Sequence, residues 1–298
     1  MFMSVSNVKQ RWMLKMSKQI FLCAINNILS GTCAEDCKFC TQSVRYHADI
    51  ERYKFKEIAQ IVEEAKVARS HGALGYCLVT ASKGLDDKKV DFVARAAHAI
   101  KAEVEGLNLI ACNGTATKEQ LKYLQENGID SYNHNLETSE RYYAEICSTH
   151  PWSERYETCE NVKSVGMALC SGGIFGMGET EEDRNSLLDS IASLSPESTP
   201  LNFYHPNPAL PIKTRNIELD EAVAIIKKAR ALLGEERLLM VAGGRELLFN
   251  GQEHLMFESG ANAMVIGNYL TTEGISVTKD QAMLEALGLE VATSCDTH

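Results

Sequence analysis

The chain has 298 residues, of which 45% are hydrophobic, so it is long enough for one large domain or two ordinary ones. Its formal net charge is −10, and an acidic surface argues against nucleic acids and anionic membranes as partners. No apolar run reaches the length of a membrane span, and residues 1–17, which we expect to be a poorly ordered leader, lack the apolar core of a secretory signal. We therefore expect the ten cysteines to be thiols or metal ligands in a reducing cytoplasm.

Short apolar runs alternate with helical patterns along the whole chain. The predicted strands are 19–26, 74–80, 107–112, 129–135, 167–171, 201–204, 237–242 and 263–266. The predicted helices are 56–71, 87–102, 117–127, 181–194, 220–233, 246–259 and 279–287, with further helical segments up to residue 165. Eight such units predict an α/β fold of the (β/α)8 TIM-barrel type, for which ~250 residues is typical. We assign residues 18–298 to this barrel as a single domain; a doubly wound open sheet is the alternative.

The first predicted strand runs into a loop with three cysteines at C-x3-C-x2-C spacing, Cys33, Cys37 and Cys40. Three thiolates can bind three irons of a cubane cluster and leave the fourth iron open to a cofactor or substrate, whereas a structural cluster needs four cysteines. The spacing therefore indicates chemistry at an iron. The alternatives are a zinc site completed by His47 or Cys23, or three unrelated thiols.

Further cysteines lie where a barrel would place its active site, at the carboxyl ends of the strands. Cys77, Cys112 and Cys170 lie in or at the ends of the second, third and fifth predicted strands. Since alternate strand residues point into a barrel, these three thiols could converge on a second metal centre. The alternative is that each is an ordinary buried small residue.

Polar and glycine-rich segments follow the next strands. The fourth strand ends in Asn133, His134 and Asn135, with Glu137 just beyond, and such groups are costly to bury unless they bind something. An amide suits a urea-like ligand and a carboxylate suits ribose hydroxyls, although helix capping also explains Asn135. Four glycines in residues 171–178 permit close backbone approach, but their spacing does not match a phosphate-binding loop.

These residues taken together resemble a known family. The three-cysteine loop, with Phe39 before its last cysteine, is the signature of radical S-adenosylmethionine enzymes. From about Lys18 to near its C-terminus the chain is more specifically similar to the biotin synthase family, through Cys77, Cys112 and the segments 132–135, 170–173 and 242–246.

The resemblance implies two iron–sulfur clusters. Cys33, Cys37 and Cys40 would hold a 4Fe–4S cluster that binds S-adenosylmethionine, and a second cluster, 2Fe–2S or a variant, would be held by Cys77, Cys112 and Cys170. One electron from a flavodoxin- or ferredoxin-type donor would generate a 5′-deoxyadenosyl radical that takes hydrogen from dethiobiotin, and the second cluster would supply sulfur. A homodimer is implied as well.

The resemblance also implies binding residues. Those expected to contact S-adenosylmethionine are Phe39, Glu137, Arg155, Gly172, Gly173 and Gly176. Those expected near the ureido ring of dethiobiotin are Asn135 and Asn202.

The chain departs from the family pattern at the second cluster. The usual fourth ligand is an arginine five residues before Arg245, and Met240 occupies that position here, while Arg237 lies too early in the strand to replace it. The fourth ligand, and with it the cluster type, stays open. Glu137 also occupies a position at which the family pattern has the shorter aspartate.

Two other functions are weighed against sulfur insertion. One is a radical S-adenosylmethionine enzyme of another product class, such as a maturase or mutase, and the strand cysteines argue against it. The other is a non-catalytic metal-binding barrel.

Overall fold

The computed structural model describes residues 19–272 and 274–294, and the expected leader lies outside this part of the chain. Its strands are β1 (Gln19–Leu29), β2 (Gly75–Thr80), β3 (Asn108–Cys112), β4 (Ser131–Asn133), β5 (Ala168–Cys170), β6 (Gly173–Phe175), β7 (Ser198–Phe203), β8 (Leu238–Val241), β9 (Ala263–Val265) and β10 (Glu290–Val291). Its helices are α1 (Ile58–Ser70), α2 (Asp87–Glu103), α3 (Lys118–Glu126), α4 (Glu140–Ile146), α5 (Trp152–Ser164), α6 (Glu181–Leu194), α7 (Leu219–Leu233), α8 (Arg245–Leu248), α9 (His254–Glu258) and α10 (Val277–Ala286).

The strands form one closed parallel barrel. β1, β2, β3, β4 and β5 pair in sequence order, β5 and β6 each pair with β7, and β8 and β9 follow β7. The sheet closes because β1 also pairs with β9, with Cys23 opposite Val265. The predicted (β/α)8 TIM-type fold is confirmed, and the pairing of β1 with β9 excludes an open sheet.

The structure differs from the predicted elements in three places. β6 lies in the glycine-rich segment after β5, and β10 is a two-residue strand beside the start of β1. The helix predicted over 246–259 is instead α8 and α9, because Asn250 and Gly251 have φ of +34° and +88°, which a continuous helix cannot accommodate.

Strand alternation divides the buried residues into two layers. Leu22 and Tyr76 point outward and pack under the helices, whereas Phe21, Cys23 and Cys77 point inward. The barrel interior therefore receives a separate set of side chains, and several of them carry sulfur.

The C-terminal helix is joined to the barrel by a buried ion pair. Arg245, at the start of α8, is fully buried, and its Nη2 lies 2.6 Å from Asp280 Oδ2 on α10. Its Nε lies 3.2 Å from the hydroxyl of Tyr269. Within the described residues, no helix combines the length and apolar character that crossing a membrane requires.

Candidate active site

The predicted cubane loop, residues 33–40, leaves the carboxyl end of β1 and is fixed by one glutamine. Gln42 Oε1 accepts hydrogen bonds from Gly31 N at 2.6 Å and from Ser30 Oγ at 3.2 Å. The Gln42 carbonyl accepts from Cys33 N at 3.3 Å. Sequence reasoning missed Gln42, because a single glutamine beside a cysteine motif carries no signal until its contacts are known.

The loop carries three thiols, and we call them the rim cysteines: Cys33, Cys37 and Cys40. Burial raises the pKa of Cys33, and it raises the pKa of Cys40 to about 12. The backbone of the loop keeps the three residues close, because Cys40 N donates to Cys37 O at 3.0 Å and Cys33 forms a bridge with Ser43. Buried thiols ionise readily only when a cation replaces the proton, so this set suits a metal cluster.

The aromatic residue of the motif lies beside the last rim cysteine. Phe39 and Cys40 pack against a small buried cluster that contains Cys37, Met177 and Tyr204. Contact of Phe39 with a cofactor stays a prediction.

The loop is anchored to the segment between α4 and α5. Asp36 Oδ1 accepts from Ser148 N at 2.9 Å and from Thr149 N at 3.2 Å, and Lys38 N donates to Ile146 O at 2.8 Å. Burial opposes ionisation of Asp36, but hydrogen bonds from Ser148 and Thr149 outweigh it and lower the pKa of that carboxyl. The loop is therefore held by contacts that require an ionised Asp36.

A cysteine and a histidine in this anchoring segment approach the rim cysteines. One side-chain donor atom from each of Cys37, Cys147 and His150 lies within 4.8 Å of the others. Cys37 Sγ donates to Cys147 Sγ at 3.6 Å, and this bond, together with His150, lowers the pKa of Cys147. His150 also contacts Tyr143 OH at 2.7 Å and Glu35 Oε2 at 2.5 Å. Cys147 and His150 have a Cys-x-x-His spacing, a local signal from which this pair could have been predicted.

Glu137 and Arg155 form a buried charged pair beside the rim loop. Glu137 has a φ of +69°, an unusual conformation for a residue with a side chain. Its Oε1 lies 3.6 Å from Arg155 Nη1, and its Oε2 is buried with no partner among the described residues. Burial raises the pKa of Glu137, although Arg155 acts in the opposite direction. Arg155 is fixed by Asn135 O at 2.7 Å and Tyr143 OH at 2.6 Å.

The two predicted substrate amides face the same end of the barrel and contact its backbone. Asn135 Oδ1 accepts from Gly172 N at 3.1 Å. Asn202 Oδ1 accepts from Gly243 N at 2.9 Å, and its Nδ2 donates to Gly173 O at 3.2 Å. The strand ends thus bring both amides to the glycine segment, and their contact with substrate stays a prediction.

The glycines predicted to face the cofactor have packing roles of their own. A Cβ on Gly172 would lie 1.9 Å from Pro200 O, and one on Gly173 would lie 2.7 Å from Leu187 Cδ2. Gly176 has a φ of +91°, which favours glycine. These contacts are with protein, so a role of Gly172, Gly173 or Gly176 toward a cofactor remains a prediction.

A second group of thiols converges inside the barrel, and we call them the interior cysteines: Cys77, Cys112 and Cys170. The parallel register aligns Cys112 with Val79 and Cys170 with Asn133. The adjacent Cys112 thiol and burial raise the pKa of Cys77, and burial raises the pKa of Cys170 to about 12. The barrel therefore brings together the three cysteines that the sequence analysis grouped.

Met240 and Arg237 lie at different depths of β8. Met240 is buried among the side chains that surround Cys77. Arg237 precedes the strand, and its Nη1 lies 3.2 Å from Glu197 Oε1, so its guanidinium is engaged elsewhere. The same interior cluster contains Cys23, which was considered from sequence only as an alternative zinc ligand for the cysteine loop.

Sequence comparison identifies the class to which this fold and site belong. The profile of the radical SAM superfamily matches residues 27–191, which places the chain in that superfamily. The profile of the Biotin and Thiamin Synthesis associated domain matches residues 200–290. The barrel combines strands from both regions in one sheet.

Full-length relatives define the family more closely. A biotin synthase of Sulfurovum sp. (strain NBC37-1) is 79% identical over 94% of this chain and 99% of its own length. A biotin synthase of a Nitratiruptor species is 57% identical over 93% of this chain and 99% of its own length. The chain belongs to the biotin synthase family.

Solved structures with little sequence similarity share the fold. Methylornithine synthase superposes with a TM-score of 0.81 at 18% identity, covering 99% of this chain and 92% of the other. The FeFe-hydrogenase maturase HydG from Carboxydothermus hydrogenoformans superposes with a TM-score of 0.76 at 17% identity. The superposition covers 95% of this chain and 69% of HydG. These likenesses concern the barrel alone.

Proposed function

We propose that two groups of cysteines divide the work of this biotin synthase family member. The activity is the insertion of sulfur into dethiobiotin, with S-adenosylmethionine and iron–sulfur clusters as cofactors. The rim cysteines hold the 4Fe–4S cluster and the interior cysteines hold the second cluster. When bound, these groups supply a carbon-centred radical and sulfur; the chain supplies ligands, orientation and protection from water.

One observation carries the proposal: the barrel contains two separate groups of thiols, one in a loop at its mouth and one inside it. The rim thiols lie in a polar loop that Gln42 and Asp36 fix. The interior thiols lie on three strands among apolar side chains. The interior group argues against a radical enzyme of another product class.

Glu137 and Arg155 are proposed to hold S-adenosylmethionine. The free oxygen of Glu137 has the chemistry to accept bonds from ribose hydroxyls, because a buried carboxylate without a partner is unfavourable. Arg155 offers a cation to the carboxylate of the cofactor. Both lie next to the rim loop, because Arg155 pairs with Glu137 and contacts Tyr143, which packs in the same buried cluster as Cys37.

Asn135 and Asn202 are proposed to hold the ureido ring of dethiobiotin. A primary amide offers one acceptor and two donors, which complement the carbonyl and N–H groups of a cyclic urea. Both amides are already oriented by backbone groups of the glycine segment. This pre-orientation reduces the entropy that binding must overcome.

An electron donor of flavodoxin or ferredoxin type and a homodimeric state belong to the same proposal. Family membership supports both. Reduction of the anaerobic protein by each donor tests the electron donor. Sedimentation velocity tests the homodimeric state.

The test of the proposal is iron and acid-labile sulfide analysis with Mössbauer spectra on anaerobically reconstituted protein. We compare the wild type with Cys170→Ala, and use Cys159→Ala as a matched control, because that buried thiol contacts His134 O instead. Two distinct clusters, one lost only in Cys170→Ala, support the proposal. A single cluster that is unchanged in Cys170→Ala overturns it.

A further inference from the structure

Cys23 is a fourth cysteine inside the barrel. Along β1, Phe21 and Cys23 point inward, and Cys23 is 4% exposed. It belongs to the same buried cluster as Cys77, and Cys112 packs against that cluster. Strand alternation therefore places this thiol on the inner wall, among two of the interior cysteines.

The register between β1 and β2 brings Cys23 toward the strand that carries Cys77. Cys23 pairs with Gly75, two residues before Cys77, so both side chains point into the barrel on adjacent strands. A Cβ on Gly75 would lie 3.0 Å from Cys23 Sγ. The sulfur of Cys23 therefore packs directly against Gly75, at the place that a side chain at position 75 would occupy.

The wall around this thiol is shared with two of the interior cysteines. Val79 lies opposite Cys112 in the register of β2 with β3, and it belongs to the same buried cluster as Cys23 and Cys77. Cys23, Cys77 and Cys112 therefore line one part of the barrel interior on three consecutive strands.

The chemistry of iron–sulfur clusters gives such a set a purpose. Clusters of both the 2Fe–2S and 4Fe–4S types are usually held by four thiolates, and the interior cysteines provide three. Met240 also faces this space, but its neutral thioether is a weak ligand for iron. A thiolate is the stronger ligand of the two for iron.

We propose that Cys23 supplies a fourth thiolate to the iron–sulfur cluster of the barrel interior. The inference rests on the proposed function, in which Cys77, Cys112 and Cys170 hold that cluster. It assigns the open ligand position to a residue of the first strand.

The test isolates the interior cluster by spectroscopy. In a background where the rim cysteines are replaced by alanine, we compare the unchanged interior with Cys23→Ser and Cys23→Ala after anaerobic reconstitution. Iron per chain, resonance Raman and Mössbauer spectra are recorded, with Cys159→Ser as the matched control. If Cys23→Ala fails to fold, Cys23→Ser still tests the inference, because it replaces only the sulfur by oxygen and should preserve the fold.

An oxygen ligand in place of sulfur should shift the thiolate-to-iron absorption bands to the blue and change the iron–sulfur stretching modes in Cys23→Ser. Cys23→Ala should lose the interior iron, and Cys159→Ser should match the background. Spectra and iron content unchanged in both Cys23 variants overturn the inference while leaving the proposed function intact. A background protein that binds no interior iron overturns both.

Discussion

The rim and the interior of the barrel each carry a group of thiols, but different forces hold them in place. The rim cysteines lie in a loop fixed by polar contacts, such as those of Gln42 and Asp36. The interior cysteines lie on three strands and are fixed by sheet register and apolar packing. Local spacing therefore defines the first group, whereas only the closed barrel defines the second.

The largest effect is expected at the rim, where Cys40→Ala should abolish both S-adenosylmethionine cleavage and biotin formation. Two thiols cannot replace three in holding a cluster that must also leave one iron open. Mass spectrometry of 5′-deoxyadenosine and biotin measures both products. Cleavage retained at the wild-type rate in Cys40→Ala would contradict the role of the rim, and Cys159→Ala serves as the control.

The next effect separates the two groups, because Cys77→Ala should abolish biotin formation and leave part of the S-adenosylmethionine cleavage. Cys77 lies inside the barrel, and its loss leaves the polar contacts of the rim loop unchanged. The same two products are measured over time. An equal loss of both activities in Cys77→Ala would mean that the two groups do not act separately.

A smaller effect is expected from Glu137→Gln, which keeps the shape of the side chain and removes its charge. Hydrogen bonds to charged groups contribute about 1.5–3 kcal/mol, which corresponds to roughly a 10–100-fold rise in the Kd for S-adenosylmethionine. Anaerobic equilibrium binding measures it, and iron content should not change. Glu160→Gln, an exposed change on α5, is the control. An unchanged Kd in Glu137→Gln would exclude the ribose contact.

The smallest effect is expected from Cys147→Ala, which removes the thiol nearest to Cys37. Cys147 contacts Cys37 and His150 but lies outside the three-cysteine motif. Losing these bonds should cost about 1 kcal/mol and lower the Tm by roughly 2–4 °C. Differential scanning calorimetry under argon measures the change. If Cys147→Ala lost as much rim iron as Cys37→Ala, Cys147 would be a ligand.

The contrast between the two groups also explains what could be predicted from sequence. The barrel was predictable because apolar strand patterns alternate with helical patterns along the chain. The loop of rim cysteines was predictable because C-x3-C-x2-C spacing is a local pattern. The interior cysteines could be grouped only by assuming that their strands close around them. Cys23 was not grouped with them, since its relation to Cys77 depends on the register of β1 with β2.

Other parts of the site could not have been read from the chain. The contact of Asp36 with Ser148 joins residues 112 positions apart, and no periodic pattern marks it. The strand β6 was not predicted because the glycines of this segment suggested close approach to a ligand, whereas Gly172 and Gly173 allow close packing against β7 and α6. In each case tertiary contact decided the outcome.

The buried ion pair between Arg245 and Asp280 has a consequence for the nascent chain. Asp280 lies 35 positions after Arg245, and β1 can pair with β9 only after residues 263–265 have been made. At about 5–20 residues per second, synthesis of the stretch between these two strands takes on the order of tens of seconds. During that time the barrel cannot close, so its inner wall of thiols is open to the surrounding medium until β9 has left the ribosome.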